Sequence, residues 1–313
     1  MLFSGLWELM DRLEGMAALV SVAKAGGFSA ASRETGIPLA TLSWRVAGLE
    51  AGLGVPLLRR STRQIALTET GQSYFQTCQR VLDEIRDAEE NLKGEYRAPK
   101  GDLALTAPMG FGRLHLQPVV MEFLRAYPAI NLRLILADRM VDFVEEPIDL
   151  ALRIAELADS PLIARTLGTI RMVVSASPEY LEKYGAPNHP SELARHDCIA
   201  WSGLGPLNTW WFREGNTDRT FPIRTRFSTS SAESAIDAAL NGLGLVQTTS
   251  YQAERGVRDG GLKILLEDFE CAPTPVNLVH AGNRSVPLTL RAFLEFAVPR
   301  LSDRLKQIEQ AVG

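Results

Sequence analysis

The segment from Phe28 to Val46, Phe-Ser-Ala-Ala-Ser-Arg-Glu-Thr-Gly-Ile-Pro-Leu-Ala-Thr-Leu-Ser-Trp-Arg-Val, constrains the fold of this chain more than any other. It reads as two short helices about a tight turn. Ser29 is placed to cap the first helix, and Ala30 and Ala31 are small enough for close helix–helix contact. Gly36 supplies the turn, and Pro38 suits the first turn of the second helix but not its middle. Leu42, Val46, Leu49 and Leu53 recur at helical spacing and predict one buried stripe. Ala40, Thr41, Trp44 and Gly48 then point outward, with Ser43 and Arg45 on the flanks. A helix presented in this way fits the major groove, so residues 28–47 read as a helix-turn-helix. Any two amphipathic helices with a glycine between them share part of this pattern. The weight therefore falls on the segment Leu57-Leu58-Arg59-Arg60-Ser61-Thr62-Arg63-Gln64-Ile65-Ala66-Leu67-Thr68-Glu69-Thr70-Gly71, a hairpin-like basic wing that ends in a helix cap.

With these residues in place the chain resembles the LysR-type transcriptional regulators. The resemblance rests on Phe28-Ser29-Ala30-Ala31, Ser43, Leu49-Glu50, Leu53-Gly54, Leu57-Leu58-Arg59-Arg60 and Leu67-Thr68-Glu69-Thr70-Gly71. It continues through Phe123-Leu124 with Tyr127-Pro128, Ile148-Asp149-Leu150-Ala151-Leu152-Arg153, Ser177-Pro178 with Tyr180-Leu181, His196-Asp197-Cys198 and Gly242-Leu243-Gly244. It implies an α+β multidomain chain. A winged helix-turn-helix over 10–68 leads into a dimerisation linker helix over 69–93 and a hinge over 94–100. A two-subdomain α/β effector domain over 101–300, similar to a periplasmic binding protein, comes next. Subdomain one is expected at 101–169 plus 275–300 and subdomain two at 171–270, with crossing strands near Thr169–Arg171 and Glu270–Pro275. Residues 301–313 are expected as a C-terminal tail. Met10-Asp11-Arg12-Leu13-Glu14 looks like a natural beginning, so residues 1–9 are set apart as an upstream-start arm.

Charge supports a nucleic-acid partner only locally. The whole chain carries a formal charge of −4, yet between Arg12 and Arg80 eight basic residues face four acidic ones. Local positive charge is what replaces condensed counterions on DNA, and the modest excess favours two copies acting on one duplex. No run of 18 apolar residues and no secretory leader pattern is present, which gives the expectation of a cytoplasmic protein without membrane contact. The three cysteines, Cys78, Cys198 and Cys271, are far apart and odd in number, as in a reducing compartment. Peroxide-sensing members of the family use a cysteine pair. Cys198 with Cys271 is such a candidate here, but packing is the favoured reading.

Downstream of Gly71, Phe75, Cys78, Leu82, Ile85, Ala88 and Leu92 approximate a heptad seam. Read from the residues alone this is a long helix. The resemblance makes it the dimerisation element of a homodimer or homotetramer. After Gly101, strand-like segments (103–106, 130–137, 148–154, 172–176, 198–201, 221–227 and 243–247) alternate with helix-like ones (115–126, 179–183 and 232–241), which predicts an α/β domain.

The expected DNA-contacting residues are Ser29, Leu39, Ala40, Thr41, Ser43, Trp44, Arg45, Arg59, Arg60 and Arg63. Ligands of such sheets bind at the C-terminal ends of strands. That placement gives Thr106, Ala107, Pro108, Arg153, Ser202, Ser228, Thr229 and Ser230 as expected effector contacts. Hydroxyls and helix N-terminal amides suit a carboxylate. Trp201, Trp210, Trp211 and Phe212 are cleft or core residues. This chain departs from its family in Leu39-Ala40 and Trp44, where polar residues are usual, so thymine contact, Arg60 and Arg63 in the wing, and DNA shape are expected to carry specificity. No catalytic triad, metal-ligand spacing or dinucleotide fingerprint is present, so the reading is of no enzyme, no cofactor and no metal. The expected partners are a promoter inverted repeat in double-stranded DNA, a small-molecule effector and a second copy of the chain, with RNA polymerase as a further candidate. The alternative is a cytoplasmic solute receptor whose N-terminal helices only dimerise.

Overall fold

The computed structural model of the chain describes residues 2–60, 65–92, 99–138, 148–157, 162–281 and 286–313. It divides into two compact units, residues 1–98 with 285–288, and residues 99–284 with 289–313.

The first unit is built from α1 (Leu2–Lys24), α2 (Phe28–Thr35), α3 (Leu39–Leu53), the strands β1 (Leu58–Arg60) and β2 (Ile65–Leu67), and α4 (Glu69–Leu92). Its core gathers Leu19 and Val22 from α1, Ala31 from α2, Leu42, Val46 and Leu49 from α3, and Leu57, Leu58 and Cys78. Residues 2–9, expected as a separate arm, are instead the first turns of α1. Ser29 is not the cap of α2. Gly27 occupies that position without a side-chain bond, and Ser29 lies exposed inside the first turn. Gly36 ends α2 with φ 71°, the left-handed conformation that a turn between two helices requires.

Two sequence phrases in this unit have mechanical causes. The Glu50 carboxylate accepts the backbone amides of Leu57 and Leu58 at 2.7 and 3.0 Å, which fixes the entry to the wing. The Thr68 hydroxyl accepts the Gly71 amide at 2.8 Å and donates to the Pro56 carbonyl at 2.9 Å, capping α4 while pinning it to the wing. A Cβ on Gly71 would lie 2.0 Å from the Leu57 carbonyl oxygen, so only glycine fits.

The second unit holds two five-stranded sheets. The first, in order β4-β3-β5-β14-β6, uses β3 (Gly101–Ala107), β4 (Ile130–Leu136), β5 (Leu150–Ile154), β6 (Leu162–Ile170) and β14 (Thr274–Ala281). The second, in order β11-β8-β12-β7-β13, uses β7 (Met172–Ala176), β8 (Asp197–Trp201), β11 (Arg224–Thr229), β12 (Leu245–Thr249) and β13 (Lys263–Leu265). The chain passes from sheet one to sheet two between Ile170 and Met172 and returns between Leu265 and Thr274. The segment expected as one strand over 221–227 is split at Ile223. Its first part belongs to a separate hairpin, β9 (Thr209–Glu214) with β10 (Thr217–Pro222), and its second part is β11.

On sheet one lie α5 (Met109–Phe111), a π-turn over Gly112–Leu116 and α6 (Gln117–Ala126); on sheet two lie α7 (Pro178–Tyr184), α8 (Ala232–Leu240) and α9 (Ser250–Arg258). The last helix, α10 (Leu288–Val312), packs Phe293 edge-on against Phe123 of α6 at 5.0 Å. The expected tail over 301–313 is the second half of this helix. Leu301, Leu305, Ile308 and Val312 are buried, and Val312 packs with Val173 and Ala253 of subdomain two. The apolar spacing that makes this half-helix a core element continues the 288–300 pattern, so α10 spans both subdomains.

Replacing Gly71 with Ala is expected to destabilise the N-terminal unit by about 1–3 kcal/mol through overpacking against Leu57. Gly52→Ala in the last turn of α3, where no atom lies within 4 Å of the added carbon, is expected to be mildly stabilising, by about 0.5 kcal/mol or less. Urea unfolding of the full chain compares the two.

Candidate nucleic-acid interface and ligand cleft

The outward face of α3 carries Ala40, Trp44 and Gly48, as the spacing drew it, but not a fully exposed Thr41. Leu39, Ala40, Trp44, Ala47, Gly48 and Ala51 are exposed, whereas Thr41 and Ser43 are half-buried. Trp44 is 67% exposed. Arg45, expected among the DNA contacts, is withdrawn. Its guanidinium pairs with Glu14 of α1 at 2.6 Å. The amphipathic reading places Arg45 on a flank, but nothing local in the sequence shows that Glu14, 31 positions earlier, comes to meet it. Arg59 is exposed on β1. Arg63 and the Arg60 side chain lie outside the described residues. So do residue 93 and most of the expected hinge. Along α4, Cys78 is committed to the core of its own unit, while Ile85 is exposed; the side chains of Ala88 and Leu92 lie outside the described residues.

In the second unit the parallel strands β3, β4 and β5 of one sheet and β8, β11 and β12 of the other end toward the crossings, so the cleft between the subdomains is lined by strand C-termini. Thr106 and Ala107 close β3 and are buried, and Pro108 comes next, half-buried. The Thr106 hydroxyl is buried with no hydrogen-bond partner among the described residues. Ser202 follows β8, Ser228 and Thr229 close β11, and Ser228 and Ser230 are exposed. Arg153 sits next to last in β5, opposite Asn277, and burial lowers its pKa. Trp210 and Phe212 belong to the core of subdomain two, Trp211 is exposed, and the half-buried Trp201 donates its indole N–H to the Gln247 carbonyl at 3.1 Å.

The groups that bridge the cleft carry no signal in the sequence. At the start of α8, Ser231 caps the helix by accepting the Ser234 amide. Glu233 in that first turn is held below the ordinary carboxylate range, first by a backbone amide of the turn, then by the Ser231 hydroxyl at 2.9 Å and by Arg113 at 3.2 Å. Arg113 belongs to the π-turn of subdomain one, so this pair crosses between the subdomains. Tyr251 of α9 meets Phe111 edge-on at 5.2 Å and His115 at 5.6 Å, a second crossing contact.

A third is ionic. Glu254 of α9 is buried and takes Arg258 of its own helix together with Arg304 of α10. Arg304 Nε also donates to His115 Nδ1 at 3.3 Å. That bond leaves the His115 proton on Nε2, which is buried without a partner among the described residues. Burial, followed by the nearby Arg304 charge, lowers the His115 pKa to about 4. At the crossings, Arg171 Nη2 donates to Glu270 at 3.1 Å and to the Val312 carbonyl at 3.2 Å, tying the end of α10 to both connections. The cysteines have no thiolate character. Burial pushes Cys78 up to about 11 and Cys198 up to about 12, and Cys271 is also raised. Among the described residues no group of His, Cys, Asp and Glu is arranged to hold a metal ion, and no helix is long and apolar enough to cross a membrane.

A helix-turn-helix with a wing and a two-subdomain ligand domain define a class of one-chain regulators, and comparison with known proteins gives the family. Residues 13–72 match the family described as bacterial regulatory helix-turn-helix protein, lysR family, and residues 97–302 match the LysR substrate binding domain. The HTH-type transcriptional regulator CrgA of Neisseria meningitidis serogroup B is 36% identical over 293 residues, 93% of this chain and 98% of that one. The transcriptional activator AaeR of Escherichia coli is 31% identical over 287 residues, 91% of this chain and 92% of that one. The solved structure of CrgA, described as a LysR-type transcriptional regulator, superposes with a TM-score of 0.59 at 36% identity and covers 92% of this chain and 98% of its own. The chain belongs to the LysR family of DNA-binding transcriptional regulators, which are not enzymes. Regulators of this family bind DNA and small-molecule effectors and form oligomers.

This geometry sets two expected outcomes. Arg59→Ala is expected to lower the slope of log affinity for DNA against log salt by about one, whereas Arg45→Ala, already neutralised by Glu14, leaves it unchanged; filter binding over a salt series reads both. His115 titrates lower in the folded chain than the 6.5 of a free imidazole. The unfolded chain therefore binds the extra proton first. Its contribution to stability is intact above about pH 6.5 and is lost as the pH falls toward about 4, by up to about 3 kcal/mol. Chemical unfolding across that range should show a drop that His115→Phe lacks.

Proposed function

We propose that this chain is a sequence-specific transcriptional regulator that binds a promoter inverted repeat as a homodimer or homotetramer, with its output set by a small carboxylate-bearing metabolite bound between the subdomains. The observation that carries the ligand class is Glu233. The first turn of α8, with its amide, the Ser231 hydroxyl and the Arg113 guanidinium, already binds a carboxylate, and that carboxylate is the chain's own. Donors of this kind suit an incoming carboxylate equally well. The hydroxyls of Thr106, Ser202, Ser228, Thr229 and Ser230, the Ala107-Pro108 corner and Arg153 are the remaining proposed contacts. The family resemblance and the strand ends support them. A ligand that takes the place of Glu233 frees Arg113 from its cross-cleft pair, changes the relative placement of the subdomains and so the spacing of the DNA-reading heads. Control of this kind requires different ligand affinity in the two placements. Contact with RNA polymerase belongs to the same proposal and rests on the family's role.

The test of the DNA arm is selection of genomic fragments by the purified chain, with footprinting at two salt concentrations. A protected inverted repeat with steep salt dependence is expected. Absence of enrichment contradicts the promoter inverted-repeat proposal. For the ligand arm, a panel of small mono- and dicarboxylates is read by thermal shift. Glu233→Gln removes the internal competitor and is expected to tighten binding of the effective carboxylate by up to about fivefold, the scale of an exposed ion pair. Stabilisation by uncharged compounds alone would count against the carboxylate class.

A further inference from the structure

We infer that α3 reads its DNA site through the 5-methyl groups of thymine, with Trp44 and Leu39 as the residues that set the preference; this rests on the reading of α3 as the groove helix. Both charged groups of α3 are committed to the fold. Arg45 is held by Glu14 at 2.6 Å, and Glu50 is bound to the amides of Leu57 and Leu58. What the helix turns outward is Leu39, Ala40, Trp44, Ala47, Gly48 and Ala51, with Leu39 46% and Trp44 67% exposed.

The groove floor presents hydrogen-bond acceptors on guanine, a donor on cytosine, an acceptor and a donor on adenine, and an acceptor with a methyl group on thymine. Bidentate reading of the first three needs Arg, Lys, Asn, Gln or an acidic side chain, and this face carries none. It is suited to excluding water from an apolar partner. The thymine methyl is the apolar group that the groove floor offers. The indole N–H of Trp44 is a single donor, which matches the lone O4 acceptor beside that methyl. Ala40, Ala47, Gly48 and Ala51 keep the backbone of α3 free of bulk around Trp44, so the helix can sit deep enough for the ring to reach the floor. Major-groove DNA is the occupant of this apolar face because the face belongs to the second helix of a matched LysR helix-turn-helix.

The experiment uses the full chain and a duplex recovered by fragment selection. Replacing thymine with deoxyuridine in the protected half-sites keeps pairing and removes only the methyl. Burial of each methyl is worth about fourfold in affinity, so uracil in both half-sites is expected to weaken binding by at least about tenfold. Trp44→Ala is expected to weaken binding to the thymine duplex and to shrink the thymine-to-uracil ratio severalfold, with an unchanged salt slope, because an indole releases no counterion. Leu39→Ala shifts the thymine-to-uracil ratio in the same direction. Glu14→Gln frees Arg45, raises the salt slope by about one and shrinks the ratio. Equal affinity for thymine and uracil duplexes overturns the inference, as does a Trp44→Ala variant that retains the full discrimination. Recovery of no fragment at all overturns the groove-helix reading beneath it, which thymine–uracil equality would leave standing.

Discussion

The buried Glu254 carboxylate is the constraint on which the ligand domain depends. A carboxylate taken out of water costs several kcal/mol unless it is paired, and removing one of two partners leaves part of that cost uncompensated. Glu254 lies on subdomain two, and one of its two guanidinium partners, Arg304, sits on a helix that packs its first half against subdomain one. The same Arg304 donates to His115 in the π-turn of subdomain one. One side chain therefore fixes the register of α10 over both sheets. Burial of Leu301, Leu305, Ile308 and Val312 and the Arg171 anchor on the Val312 carbonyl hold α10 in the same register.

Against this buried tie, the other cross-cleft contacts are weak. Arg113 and Glu233 are both about half exposed, and an ion pair of that kind contributes at most about 1 kcal/mol. The difference in strength gives the cleft its character. Where α10 and the crossing connections run, the subdomains are held by buried charge. Where Glu233 meets Arg113, they are held by a half-exposed ion pair. In the DNA-binding unit the logic is similar. Charges that look available in the sequence, Arg45 and Glu50, are used in holding α3 and the wing, and the reading face is left apolar.

Much of this is legible in the sequence because the relevant interactions are local or repeat a motif. The turn at Gly36, the wing and the alternation of strands and helices follow from spacing and turn chemistry. Several family phrases turn out to be mechanical: Glu50 holds the wing, Thr68 caps α4, and the Tyr180 hydroxyl accepts the Asp197 amide at 3.0 Å, joining two phrases 17 residues apart. The parts that the sequence hides depend on partners distant along the chain. Arg45 looks like a flank contact until Glu14 is placed beside it, and Arg113, Tyr251 and Arg304 gain their roles only when two subdomains face one another. The 301–313 segment reads as a tail because its apolar residues face a surface assembled from both sheets. Ser29 reads as a cap because Gly27, with no side chain, leaves no capping signature.

The most direct test of this account is the distance distribution across the cleft, measured by electron spin resonance between labels at exposed Gln117 of subdomain one and Leu240 of subdomain two, with Cys271 changed to serine. In the otherwise unchanged chain a single narrow distribution is predicted, and Arg304→Met should broaden it as the tie between Glu254 and α10 is lost. The same narrow distribution in both proteins would contradict the claim that this buried ion pair sets the geometry of the ligand domain.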